Sequence, residues 1–122
     1  MRKAPRAFET VRRLGLALPD VEESTTYGAP ALKVQGRMFA CLASHRSAES
    51  DTLVVRVSFA TRDGLLAEDP DTFYLTDHYV DYPCVLVRLA RCRRDTLAAL
   101  LSAGHAFIAR GANVRPRKRP SV

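Results

Sequence analysis

The sequence has no tryptophan, and aromatic residues make up only 7% of its 122 positions. It has no apolar run approaching the roughly 20 residues that cross a bilayer. The opening segment MRKAPRAFETVRRLG is basic but carries no uninterrupted apolar stretch behind the charges, unlike an export signal. A cytoplasmic protein with no membrane association is expected. Cysteine is scarce too. Cys41, Cys84 and Cys92 are odd in number and form no C-x-x-C pair, which argues against a disulfide framework and a zinc knuckle. Adding His45, His78 and His105 produces no spacing that resembles a metal site. The thiols therefore read as small apolar side chains, and no metal or other cofactor is expected. Phosphate-cradling glycine loops and nucleophile elbows are missing as well. Glu22 and Glu23 beside Tyr27, and His78 near Asp77 and Asp81, are adjacent polar groups of the kind usually found solvated in turns, so no enzymatic activity is expected.

What is present fits one ordinary domain: 47% hydrophobic and 26% charged residues in a chain long enough to bury a core without a metal or disulfide staple. The net charge of +6 is unevenly spread. Residues 1–6 and 110–122 hold eight cations and no acid, leaving the body between them at −2. The segment GANVRPRKRPSV, with Arg115, Arg117, Lys118 and Arg119, reads as a disordered basic tail over 111–122 following a single domain over 1–110. Such a tail suits a polyanion, or simply a solubilising end.

Phe8, Val11, Leu14 and Leu18 recur at helical spacing between Pro5 and Pro19, predicting a first helix. The acidic VEES segment reads as a loop. ALKV and RMFACLA read as strands joined by a tight turn at Gln35-Gly36, and TLVVRVS as a third strand rich in β-branched residues. ATRDGLLAEDP predicts a short helix ended by Asp69-Pro70. TFYL and CVLVRLA are a fourth and fifth strand, and a last helix runs from about Asp95 to Ala109. The order αβββαββα, with hairpin-length links, predicts a two-layer α+β fold whose antiparallel sheet is covered by helices on one face.

Alternation along the strands then sorts the faces. Leu32, Val34, Met38, Ala40, Leu42, Leu53, Val55, Val57, Val85, Val87 and Leu89 face the helices. Lys33, Arg37, Arg56 and Arg88 fall on the opposite face, with Phe39, Val54 and Leu86 between them. Such a face suits phosphates, an acidic partner or a second subunit, though an ordinary solvated face looks the same. Carried backward from Val85, the alternation sends Tyr79 toward the core, and His78 and Tyr82 to the edge of the open face. Pro83, which cannot donate to a ladder, marks the entry to the last strand.

The segments LALPDVEESTTYGAPALKVQGRMFA, DTLVVRVS and DPDTFYLTDHYVDYPCVLVRL resemble the MmcQ/YjbR family. The likeness runs from Phe8 to about Ile108, through the L-P-x-V-E-E turn, the Y-G-x-P-x-x-K-V entry to a hairpin, and the H-Y-x-x-Y-P lead into the last strand. The resemblance implies a CyaY-like, secretion-chaperone-like α+β fold with hairpins described as a double wing, and a DNA-binding label without catalytic residues. Cys84 stands where relatives more usually carry an aromatic, often tryptophan, and Asp81 where glycine is frequent.

Two functional expectations follow. The first is nucleic-acid binding through Lys33, Arg37, Arg56, Arg88, His78 and Tyr82 together with the tail cations Arg115, Arg117, Lys118 and Arg119. The second is a protein-interaction module or homodimer that uses Phe39, Val54 and Leu86 as an apolar centre.

Overall fold

Phe8, Val11 and Gly15 line the buried side of the first helix, α1 (Arg6–Leu16), in a computed structural model that describes residues 6–116. The chain then departs from expectation. Residues read as an acidic loop form an edge strand, β1 (Val21–Thr26), paired antiparallel with β2 (Ala29–Val34) from Val21↔Val34 to Thr26↔Ala29. Its charges suit an edge, where they discourage pairing with another chain. The turn that makes this hairpin was in view in the sequence: Tyr27 and Gly28 both have positive φ, 49° and 78°, the signature of a two-residue turn matched to strand twist. Gln35 and Gly36 repeat it at 55° and 75°, as predicted, and lead into β3 (Arg37–Leu42).

β4 (Thr52–Arg56) follows a polar loop, then α2 (Phe59–Glu68), whose first turn is capped by Ser58 Oγ accepting from the Thr61 amide at 3.1 Å. β5 (Phe73–Tyr74) and β6 (Cys84–Arg88) complete a sheet of order β1-β2-β3-β4-β6-β5, antiparallel throughout. The final helix is α3 (Arg94–Ala109). The α+β class and the single helix-covered face stand as predicted.

The principal core lies between sheet and helices, where Leu32, Val34, Leu53, Val55, Val85 and Val87 meet Phe8, Val11, Leu97, Leu101 and Ile108. α3 comes close because Gly104 has no side chain. A Cβ there would sit 2.8 Å from Val55 Cγ1 and 3.0 Å from the Arg56 carbonyl.

Strict alternation fails in β3. Leu32 pairs with Ala40 and Lys33 with Met38, so the register shifts across Phe39, which becomes the extra residue of a bulge. Phe39 and Ala40 both turn into the helix-side core, and the residues before the bulge change face. Met38, predicted to face the helices, instead packs in a second cluster on the outer face, with Ala31, Cys41, Val54, Cys84 and Leu86. Arg37, predicted outward, lies beside the helix layer, where its guanidinium donates to the Ala112 carbonyl at 2.6 Å. Among the described residues no helix is long and apolar enough to cross a membrane.

Candidate ligand-binding site on the outer face of the sheet

The connection from β5 to β6 determines what the outer face offers. From Thr76 the chain turns tightly: the Tyr79 and Val80 amides both donate to the Thr76 carbonyl, and the Tyr82 amide to the Tyr79 carbonyl, each at 3.0 Å. In such turns residues three apart share a side, so Tyr79 and Tyr82 both fold onto the outer cluster. Tyr82 lies on the outer face as predicted, whereas the placement of Tyr79 toward the helix-side core is corrected. It assumed strand alternation in a segment that is not a strand.

Two attachments hold this loop. Arg62, on α2, is only 3% exposed, and its Nη1 donates to the Val80 and Tyr82 carbonyls at 2.8 and 3.2 Å. Its Nε reaches Asp63 at 3.3 Å, and the guanidinium lies over the Phe59 ring. At the other end, the His78 ring stacks on His45 with centroids 3.6 Å apart, and Ser47 Oγ meets Thr76 Oγ1 at 2.8 Å. The Ser47 amide donates to His45 Nδ1 at 3.1 Å. With that nitrogen as acceptor, the neutral ring carries its proton on Nε2. Desolvation, then the His78 ring and Arg46, hold the His45 pKa below its usual value.

Between this loop and the Tyr27 turn is a cavity of about 400 Å³. Cys41, Cys84 and Val54 line its inner side, where both thiols are buried. Burial pushes each of them up to about 11, against the pull of Arg56, so they are protonated and inert as nucleophiles. Cys84 stands where a larger aromatic side chain was expected from the resemblance, and such a side chain would take up part of this space. Tyr27, Tyr79, Tyr82, His45 and His78 provide rings around the cavity, Ser44 and Thr26 provide hydroxyls, and Arg56 provides a guanidinium; among the described residues no carboxylate lines it.

The four sheet cations therefore separate. Arg88 does face outward, but it is committed: Nη2 and Nε reach the Glu49 carboxylate at 2.8 and 3.0 Å, Nη1 reaches the Pro70 and Asp71 carbonyls, and the guanidinium lies over the Tyr74 ring. The Glu49 hydrogen bond raises the Arg88 pKa and lowers that of Glu49. Arg37 is on the other side. Lys33 is half-buried opposite Glu22 and Met38. Arg56 is half-buried in the cavity, and its guanidinium has no hydrogen bond or ion pair with any described residue. Phe39, Val54 and Leu86 are all at most 5% exposed, so the apolar centre expected for a protein interface is already buried.

Arg115 is exposed, its amide held by Asn113 Oδ1 at 3.0 Å. Val114 packs against the core. Arg117, Lys118 and Arg119 lie outside the described residues. Arg62, Tyr27 and His45 belong to the site or its support and were not predicted; Tyr27-Gly28 alone carried a sequence signal.

The family model described as YjbR matches residues 16–107, from the last residue of α1 into the last turns of α3. No curated protein and no solved structure gives a match.

Proposed function

The chain belongs to the YjbR family, and we propose that it is a nucleic-acid-binding protein, with DNA as the ligand its family resemblance points to. The observation that carries this reading is Arg56. A guanidinium with no acidic partner among the described residues, placed among five stackable rings in a cavity that none of their carboxylates lines, is suited to a phosphate whose base lies against a ring. The basic ends of the sequence supply the longer-range attraction that the nearly neutral body lacks.

The test is an anisotropy titration of a labelled single-stranded oligonucleotide at several salt concentrations, comparing the full chain with one ending at Pro116. This truncation keeps the Arg37–Ala112 contact and Val114 while removing Arg117, Lys118 and Arg119. If each removed cation meets a phosphate, the slope of log K against log salt becomes shallower by about 2. An unchanged slope takes the tail out of the site. No binding at low salt by the full chain overturns the reading.

A further inference from the structure

Resting on that reading, we infer that the outer-face cavity is the seat of one unpaired base, with the Arg56 guanidinium at the adjoining phosphate, so that the unit recognised is a single-stranded nucleotide rather than a duplex.

Shape is the first argument. A volume of about 400 Å³ falls within the roughly 300–1,000 Å³ of pockets that enclose a small ligand. A duplex keeps its bases stacked behind the backbone and cannot put a ring face into such a space without extruding a nucleotide.

Chemistry is the second. The apolar floor of Val54 and two protonated thiols excludes water without offering charge, and the rings of Tyr79 and Tyr82 stand on the loop side. Ser44 and Thr26 carry hydroxyls that can serve a base edge and donate or accept as needed. A lining with no carboxylate among the described residues admits an anion. A single cation matches a single phosphodiester.

The third argument is preorganisation. Arg62 on one side and the His45–His78 stack on the other hold the loop bearing Tyr79 and Tyr82 in place. Little ordering remains to oppose binding.

Calorimetric titration with three tetranucleotides separates base from backbone: four thymidines, one thymidine among three abasic sugars, and four abasic sugars. The expected result is that the single-thymidine strand binds at least about tenfold more tightly than the fully abasic one. A stable hairpin duplex with a run of A·T pairs in its stem and a short non-nucleotide linker should bind more weakly than the four-thymidine single strand. Arg56→Gln should weaken the thymidine strand and make its salt slope shallower by about 0.7. Cys84→Trp, which fills the cavity, should abolish the difference between thymidine and abasic strands; Met38→Trp at the half-buried rim replaces it if that variant does not fold.

Equal affinity for thymidine and abasic strands would overturn the base pocket while leaving the nucleic-acid reading intact through phosphate contacts. Absence of binding by every strand would overturn both. Binding of 2-naphthoate in preference to thymidylate would replace the nucleotide with a free aromatic acid.

Discussion

Arg56, Arg62 and Arg88 lie on or beside one face of the molecule and differ in burial and in what their guanidiniums can reach. Arg88 meets Glu49 and two carbonyls at the solvent boundary. Arg62 is buried on the carbonyls of Val80 and Tyr82. Arg56, in the cavity, meets neither among the described residues. Arg62→Met should cost about 2–4 kcal/mol, because it removes charged hydrogen bonds and leaves two carbonyls to find other donors. Arg88→Met, at a site that is more exposed and screened, should cost less than about 1.5 kcal/mol. Urea melts of the two variants decide it, and equal losses would mean that Arg62 does not hold the loop. Alternation placed Arg56 and Arg88 on the correct face, but it could not rank them. Glu49 is 39 residues from Arg88 in sequence, and nothing local announces that the two will meet.

Among the elements, those with strong apolar patterning were legible and those with polar or irregular patterning were not. α1, α2 and α3 and the strands β2, β3, β4 and β6 follow from helical spacing or β-branched runs. β1 was hidden because an edge strand with one neighbour needs little apolar content. The segment ahead of Pro83 is a connection, as its proline signals, but the facing of Tyr79 within it was misread because period-two reasoning does not apply to a turn. The bulge at Phe39 is invisible locally; it arises where β2 and β3 pair with unequal numbers of residues, and it alone moves Arg37 and Met38 to opposite faces from those expected. Packing of α3 on the sheet gives a direct check at this scale. Gly104→Ala would place a methyl against Val55 and the Arg56 backbone, and overpacking of this kind costs about 1–3 kcal/mol. A melt showing Gly104→Ala at wild-type stability or above, through improved helix propensity, would mean that α3 can move away from the sheet without loss.

For the whole molecule, the sheet separates a large helix-side core from a small outer cluster, and the outer cluster depends on one loop. The loop is secured partly by two stacked imidazoles, which makes its closure pH-dependent. His45 has a folded-state pKa below its ordinary value of 6.5, set by desolvation first and then by the His78 ring and Arg46. The unfolded chain therefore binds the proton more readily, so the contribution of the neutral ring is fully present above about pH 6.5 and is lost as pH falls through the folded value. Around the stack, Tyr79 meets both rings edge-on at 6.3 and 4.7 Å, while Arg46 adjoins it and Arg56 lines the same cavity. None of these three offers a carboxylate to stabilise a positive charge on His45. Thermal melts between pH 7.5 and 5.5 should show stability decreasing as pH falls, in a range above most carboxylate titrations. His45→Phe keeps a ring in the stack and removes the titrating group, so its melting temperature should fall less over the same interval. In the wild type, the exchange protection of the Tyr79 and Tyr82 amides should decrease together with stability, because both belong to the turn beside the stack. A pH dependence identical in the wild type and His45→Phe would locate the titrating group elsewhere and leave Arg62 as the principal attachment of the loop.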